Sequence, residues 1–334
     1  MEGDRSAERG PLPPPLRGQE RRWTRRHVLD IDDWRRDEIE AVLETTGAMV
    51  EILQRPIRKA PPLRGKTVIL FFAESSTRTR VSFELAAKAL SADVTNITAS
   101  GSSVEKGETL YDTVRTLQAL GGDIIVMRHA SSGAPYFVAE RTDAAVINAG
   151  DGWHAHPTQG LLDAYTLRGA LGDLAGKRIV IVGDVIHSRV ARSDIHALAP
   201  LGATITLSGP PTLIPTAWRR GMLPPCVTYE PDLDRALDSA DAVIALRLQK
   251  ERQENGLLPS LREYTRVWGL TEKRVALMRP NAPVMHPGPM NEGVEIEAAV
   301  AHGARSLVEK QVTNGVAVRM ALLYLLTGTP LEAA

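Results

Sequence analysis

Short, continuous runs of apolar residues recur along the chain, and they predict the strands of a sheet. Such runs do not alternate with polar residues, so the strands should be buried on both faces, as in a parallel sheet flanked by helices. The runs lie at residues 67–72, 124–127, 144–147, 178–182, 205–207, 242–246 and 283–285.

Between these runs, apolar residues recur at the spacing of amphipathic helices. The predicted helices include residues 32–53, a helix from about residue 77, residues 156–170 and residues 307–326. In the second of these, Val81, Leu85 and Ala89 fall on one stripe. The order of strands and helices predicts an α/β protein with two domains, each a mostly parallel sheet flanked by helices, joined by interdomain helices.

A length of 334 residues suits two domains of ordinary size. We predict a disordered tail at residues 1–22, a first domain at 23–156 and a second domain at 157–306, with a C-terminal helix at 307–334 that returns to the first domain. The tail is rich in Arg and Pro and contains several acidic residues, which is unlike a secretory signal or a transit peptide.

Composition excludes several classes of protein. Forty basic residues balance forty acidic ones, which argues against a general nucleic-acid or anionic-membrane binder. No apolar stretch is long enough to cross a bilayer. Cys226 is the single cysteine, so an internal disulfide and a cysteine zinc site are excluded, and a reducing, cytoplasmic compartment is expected.

Polar clusters follow directly after the apolar runs, at the strand ends where open parallel sheets bind ligands. The first, at residues 75–80, reads Ser-Ser-Thr-Arg-Thr-Arg and opens a helix. A helix N-terminus together with the hydroxyls of Ser76, Thr77 and Thr79 and the guanidinium of Arg78 predicts a phosphate site. A plain helix cap needs one hydroxyl and no arginine, and the glycine spacing of a P-loop is missing.

Other clusters add positive charge and hydrogen-bond donors at the same edge. Lys106 lies with Ser102 in a glycine-flanked loop, and Arg128 follows the second apolar run. His154 and His156 are two residues apart, but no acidic or cysteine ligand lies at a recognisable spacing, so we expect no metal. We interpret one imidazole as a neutral donor to a carbonyl oxygen.

Later segments complete an anion-binding edge. Arg247 and Gln249 would point to the same face if their strand continues, and with Arg189 they could hold a dicarboxylate. The turn at 286–289, His-Pro-Gly-Pro, can present backbone carbonyls to a ligand. The segment 183–193 lacks the three-glycine dinucleotide fingerprint, which disfavours an oxidoreductase. The predicted site therefore binds anions and stabilises a negative transition state electrostatically.

Taken in order, these segments resemble the aspartate/ornithine carbamoyltransferase family over almost the whole chain after the tail. The matching segments are Ser76-Thr77-Arg78-Thr79-Arg80, Lys106-Gly107-Glu108-Thr109-Leu110, His156-Pro157-Thr158-Gln159, Gly183-Asp184 with residues 187–193, residues 247–252, and His286-Pro287-Gly288-Pro289. The last segment resembles the aspartate branch, because the ornithine branch is expected to read His-Cys-Leu-Pro there.

The resemblance implies transfer of the carbamoyl group of carbamoyl phosphate to L-aspartate, the committed step of pyrimidine synthesis. It implies that residues 23–156 bind carbamoyl phosphate and residues 157–306 bind aspartate. Carbamoyl phosphate would contact Ser76, Thr77, Arg78, Thr79, Ser102, Lys106, Arg128, His156 and Gln159. Aspartate would contact Lys106, Arg189, Arg247, Gln249 and Gly288. The catalytic roles would fall to His156, Arg128, Thr79 and Lys106.

The resemblance also implies a homotrimer without a cofactor, in which Ser102 and Lys106 enter the neighbouring subunit's site. It leaves open further assembly with regulatory or dihydroorotase chains. Two residues depart from the family pattern, Ala73 where an aromatic is common and Glu292 where related sequences often have Arg. The alternatives are a carbamoyltransferase for another amino substrate such as ornithine, and a non-catalytic scaffold subunit.

Overall fold

A computed structural model describes residues 23–98, 109–222, 224–249, 257–258 and 260–327. Four predictions lie outside the described residues: the tail at 1–22, Ser102, Lys106, and the end of the last helix at 328–334.

The first sheet has four parallel strands in the order β2-β1-β3-β4. The strands are β1 (Thr67–Phe72), β2 (Asp93–Thr98), β3 (Ile124–His129) and β4 (Ala145–Asp151). The helices of this half are α1 (Arg36–Gln54), α2 (Thr77–Ala89), α3 (Leu110–Ala119) and α4 (Ala134–Ala139). Apolar side chains on both faces of the central strands are buried, as the continuous apolar runs predict.

The second sheet has five parallel strands in the order β7-β6-β5-β8-β9. The strands are β5 (Arg178–Val182), β6 (Thr204–Ser208), β7 (Val227–Tyr229), β8 (Ala242–Ala245) and β9 (Val284–Met285). The helices are α5 (Pro157–Leu171), α6 (Arg189–Leu198), α7 (Thr216–Arg219), α8 (Leu233–Leu237), α9 (Leu261–Trp268), α10 (Glu272–Val275) and α11 (Ala298–Ala301), followed by α12 (Val308–Thr327). The predicted fold class, two parallel sheets flanked by helices, is confirmed.

Helices α5 and α12 join the two halves. Helix α5 connects the two sheets along the chain, and ten of its fifteen residues are buried, which is typical of a helix that lies between other layers. Helix α12 follows the second sheet but packs against α1, α2 and α5. One continuous apolar core therefore runs from the first sheet through these helices to the second.

Some details of the predicted helices are wrong. On α2 the stripe of Val81 and Leu85 faces outward, with these residues 40% and 53% exposed, and Phe83, Ala86 and Ala87 are buried instead. Helix α1 begins four residues later than predicted, because the Glu38 carboxylate accepts a hydrogen bond from the backbone N–H of Arg35 at 2.9 Å and caps the helix there. Within the described part of the chain, no helix is long and apolar enough to cross a membrane.

Candidate active site

The carboxyl ends of both sheets open onto one cavity of about 500 Å³. Every predicted site residue that the structure describes lines this cavity. These residues are Ser76, Thr77, Arg78, Thr79, Arg128, His156, Gln159, Arg189, Arg247, Gln249 and Gly288. They come from both halves of the chain. The strands of each parallel sheet deliver their following loops to one edge, and both of these edges open onto the cavity.

The N-terminus of α2 forms the wall of the cavity that belongs to the first sheet. The Ser76 hydroxyl accepts a hydrogen bond from the backbone N–H of Thr79 at 3.4 Å and caps the helix. Arg78 reaches across the cavity and donates to the backbone carbonyl of Pro287 at 3.0 Å. Burial lowers the pKa of Arg78. A helix N-terminus with an arginine beside it is a site for an anion such as phosphate.

Glu74 joins two arginines from different halves of the chain, Arg128 on β3 and Arg189 at the start of α6. Its Oε1 accepts hydrogen bonds from Arg128 Nη2 and from Arg189 Nη2, both at 2.7 Å, and its Oε2 accepts one from Arg189 Nη1 at 3.0 Å. Burial acts to raise the pKa of Glu74, but the hydrogen bonds and charges of Arg189 and Arg128 outweigh it and hold that pKa below its ordinary value. Glu74 is not among the residues predicted from the sequence, although it directly precedes the predicted phosphate segment.

Gly150, at the end of β4, leaves room for both guanidinium groups. A Cβ atom at this position would lie 3.0 Å from Arg189 Cζ and 3.1 Å from Arg128 Nη1. Its φ of +116° is also a backbone conformation that residues with side chains rarely adopt. A residue other than glycine would therefore displace the two arginines that Glu74 holds.

His156 is the N-cap residue of α5 and is buried near positive charges. Burial, and then the charges of Arg128, Arg189 and Arg319, lower its pKa well below the ordinary value, so the imidazole is neutral at physiological pH. Its backbone N–H donates to Ser193 Oγ at 2.9 Å, which fixes the start of α5 against α6. A neutral imidazole can donate a hydrogen bond to a carbonyl oxygen, which agrees with the sequence interpretation.

His154, only two residues away, is outside the cavity and is charged. Its Nδ1 lies 3.0 Å from Asp151 Oδ2, and its Nε2 lies 3.2 Å from Asp30 Oδ2. The hydrogen bonds to Asp151 and Asp30 raise the pKa of His154 to about 10. The two histidines thus do not share a ligand. In the ranges that the structure covers, no group of three or more His, Cys, Asp and Glu side chains could hold a metal ion.

Arg247 and Gln249 lie beyond the end of β8, at Ala245, but the alternation of a strand persists there. Leu248 between them is buried, while both polar side chains line the cavity. Gln249 Nε2 donates to the backbone carbonyl of His187 at 3.1 Å. With Arg189 they place two guanidinium groups and an amide on the wall formed by the second sheet, an arrangement that suits carboxylate groups.

Arg319, a buried arginine on α12, also lines the cavity and was not predicted from the sequence. Its Nη1 donates to Ser82 Oγ at 2.7 Å. Burial lowers the pKa of Arg319 to about 10, so it still carries a charge at neutral pH. The available signal was an arginine within the most apolar helix of the chain. Five arginines therefore line the cavity, against Glu74 as the one acidic residue among its described lining residues.

Two family models match the chain. Residues 26–169 match the aspartate/ornithine carbamoyltransferase carbamoyl-P binding domain, and residues 175–326 match the Asp/Orn binding domain of the same family. The aspartate carbamoyltransferase catalytic subunit of Chloroflexus aggregans is 61% identical over 305 residues, which cover 91% of this chain and 99% of that protein.

Solved structures of similar proteins have the same fold. Aspartate transcarbamoylase from Trypanosoma cruzi, crystallised with N-(phosphonacetyl)-L-aspartic acid, has a TM-score of 0.80 and 29% identity, covering 89% of this chain and 94% of that one. Ornithine carbamoyltransferase from Pyrococcus furiosus has a TM-score of 0.80 and 27% identity, covering 90% and 97% of the two chains.

The two histidines near the start of α5 should differ in charge at neutral pH. We expect the His156 ring to remain neutral from pH 6 to 8, because burial and then nearby positive charges lower its pKa. The His154 ring should remain doubly protonated, because hydrogen bonds to carboxylates raise its pKa. Ring ¹⁵N chemical shifts of histidine-labelled protein measure both states, and the variant His156→Gln assigns the signals. A His156 ring that titrates near pH 6.5 would contradict this electrostatic description.

Glu74→Gln should alter how stability depends on acid. A carboxylate with a lowered pKa stabilises the folded protein above its unfolded-state pKa, about 4.5 here, and this contribution is lost as pH falls through the folded-state pKa. We expect the variant to be less stable than the wild type at pH 7 and the difference to shrink below about pH 4.5. Urea unfolding from pH 7 to 3.5 measures it, and a difference that is independent of pH would contradict the prediction.

Proposed function

This chain belongs to the aspartate/ornithine carbamoyltransferase family, and we propose that it transfers the carbamoyl group of carbamoyl phosphate to the amino group of L-aspartate. The products are N-carbamoyl-L-aspartate and phosphate. The observation that carries the proposal is the cavity shared by both sheets, where a helix N-terminus with Arg78 faces a second set of cationic side chains. This cavity offers separate places for a phosphate and a dicarboxylate.

We assign the phosphate of carbamoyl phosphate to the N-terminus of α2. There Ser76, Thr77 and Thr79 contribute hydroxyls, and Arg78 contributes a guanidinium within reach of the opposite wall. Arg128 lines the same cavity, and its charge acts on His156, so we assign it to both the phosphate and the carbonyl oxygen. Gln159 is assigned to the carbamoyl nitrogen. Ser102 and Lys106, outside the described residues, are assigned to the same substrate by the family resemblance.

We assign the carboxylates of aspartate to Arg189, Arg247 and Gln249, next to the turn that contains Gly288. Lys106 is assigned to aspartate as well as to carbamoyl phosphate. This wall favours aspartate over ornithine, because guanidinium groups attract a side-chain carboxylate and repel an ammonium group. The name of the relative from Chloroflexus aggregans supports the same choice.

The chemistry follows from charge. The neutral amine of aspartate forms a bond to the carbamoyl carbon, whose carbonyl becomes an oxyanion that His156, Arg128 and Thr79 stabilise. The bond from this carbon to the phosphate oxygen then breaks, and the phosphate leaves with the proton lost by the amine. His156 acts by donating a hydrogen bond, since its neutral ring has no proton to spare as an acid. Much of the rate comes from holding two anions in attack geometry.

We further propose that the active unit is a homotrimer whose neighbouring subunit supplies Lys106 and Ser102 to each site. The exposed apolar pair Val81 and Leu85 on α2, directly after the phosphate segment, supports a contact with a second copy. Within each subunit, residues 23–156 with helix 307–334 would bind carbamoyl phosphate, and residues 157–306 would bind aspartate. The enzyme would serve pyrimidine synthesis in the cytoplasm.

Turnover with carbamoyl phosphate tests the function directly. We expect N-carbamoyl-L-aspartate to form with aspartate and no product to form with ornithine. His156→Ala should lower kcat by about two to three orders of magnitude because an oxyanion donor is lost. His302→Ala, which removes a histidine whose side chain is 60% exposed, is the matched control and should keep wild-type turnover. Near-normal kcat in His156→Ala would contradict the assigned role.

Hybrid oligomers test whether sites are shared. Arg128→Ala and Lys106→Gln should each inactivate the enzyme on its own. When the two variants are dissociated and reassembled together, some sites combine an intact Arg128 from one subunit with an intact Lys106 from its neighbour, so activity should return. The test is turnover before and after mixing, with self-mixed variants as controls. If mixing restores no activity although hybrids form, each site is built from one subunit.

A further inference from the structure

The amide of Gln159 has a defined orientation at the cavity wall. Its Nε2 donates to both carboxylate oxygens of Asp163, one helical turn further along α5, at 3.1 Å each. The two oxygens of one carboxylate lie close together, so both contacts engage the same side of the amide nitrogen in a bifurcated hydrogen bond. Among the described residues, none donates to Gln159 Oε1, and this oxygen is left for the cavity that the side chain lines.

A backbone N–H, which can only donate, sets the orientation of a second amide beside Asp163. The backbone N–H of His286 donates to Gln311 Oε1 at 3.0 Å, so the Gln311 amide must present its nitrogen elsewhere. That nitrogen donates to Asp163 Oδ1 at 2.6 Å. Asp163 therefore accepts hydrogen bonds from two glutamines. The direction of the Gln311 bond follows from the His286 N–H, and the direction of the Gln159 bond follows from the ionised carboxylate, which can only accept.

Asp194, on α6, completes the surroundings of Asp163. It is fully buried, and no donor among the described residues reaches either of its carboxylate oxygens. Burial and the neighbouring charge of Asp163 raise the pKa of Asp194 well above its ordinary value. Two adjacent buried carboxylates cannot both be ionised without a large cost. Asp194 thus keeps its proton and donates it to Asp163. Burial raises the pKa of Asp163 to about 6, and the hydrogen bonds from Gln311, Gln159 and Asp194 oppose that rise, so Asp163 is ionised at neutral pH.

We propose that Asp163, held by Gln311 and Asp194, is a positioning residue that selects the carbamoyl group by fixing Gln159 with its carbonyl oxygen toward the substrate. This inference rests on the proposed function. An oxygen at this position accepts a hydrogen bond from the NH₂ group of a carbamoyl substrate. A methyl group, as in an acyl phosphate, offers no donor and would leave the buried oxygen unsatisfied. The residues of this network thus act through Gln159 and not on the reacting atoms.

Two stable ligands isolate this contact. Phosphonoacetamide and acetonylphosphonate share a phosphonate and a carbonyl group and differ in carrying NH₂ or CH₃ beside that carbonyl. In the intact oligomer, we expect Asp163→Asn to weaken the binding of phosphonoacetamide by about tenfold. The same substitution should weaken the binding of acetonylphosphonate by less than about twofold. The asparagine introduced can present its own NH₂ to Gln159 and reverse that amide. Isothermal titration calorimetry measures both affinities. An unchanged ratio of the two would overturn the inference.

Control variants separate positioning from a structural effect. In a Gln159→Ala background, Asp163→Asn should have no further effect on the ratio, whereas a structural role would give additive losses. Asp194→Asn should keep the wild-type ratio, because the new amide donates to Asp163 in place of the carboxyl proton. Asp241→Asn removes a buried carboxylate at the amino end of β8, where it accepts from the Arg178 N–H at 2.9 Å, and should leave both affinities unchanged.

Two further measurements keep the outcome decisive. Gln311→Met breaks the same chain of bonds without touching Asp163, and an unchanged ligand ratio in this variant would overturn the inference even where Asp163→Asn does not fold. Wild-type turnover with carbamoyl phosphate and aspartate is measured on the same preparation. Its absence counts against the proposed function, whereas an active wild type with an unaltered ratio in the variants counts against the role of Asp163 alone.

Discussion

The carboxylate of Glu74, held between Arg128 and Arg189, is the interaction on which the site depends. Guanidinium groups from both halves of the chain converge on the cavity, and Arg189 is almost fully buried. Like charges in a poorly solvated space repel strongly unless a counter-charge is present. Glu74 supplies this counter-charge and accepts three hydrogen bonds from the two arginines. Gly150, which has no side chain, leaves the space that their guanidinium groups occupy. One carboxylate against five arginines still leaves the cavity positive, which is the condition for binding two anions together.

The same concentration of positive charge sets the chemical role of His156. A histidine in water would be partly protonated near neutral pH, but burial beside Arg128 and Arg189 keeps this ring neutral. His154 is positively charged instead, because its ring is hydrogen-bonded to the carboxylates of Asp151 and Asp30. His156 is therefore a hydrogen-bond donor in the cavity, whereas His154, two residues earlier, is a structural cation that links Asp30 to Asp151. Neighbours from other elements, not residue type, decide what each imidazole can do.

This dependence on neighbours explains how far the sequence could predict the structure. The continuous apolar runs predicted β1 and β5 to the residue, because strands buried on both faces leave no other pattern. Strand β2 was missed because it lies at the sheet edge and its residues are polar and mostly exposed. The cationic residues that follow the strands were found, since topology alone brings them together. Glu74 and Arg319 were not, because their roles arise from contacts between elements far apart in the chain.

The position of Arg319 follows from a ladder of buried hydrogen bonds between α5 and α12. Gln311 donates to Asp163, and Asn314, three residues later, donates to Thr166, also three residues later, at 2.9 Å. The constant spacing shows that the two helices run parallel in one register. A slip of α12 by one turn would break both hydrogen bonds and leave buried polar groups unsatisfied. Apolar packing alone would not prevent such a slip. The ladder therefore fixes which face of the last helix meets the cavity, and it places Arg319 where the two halves of the site join.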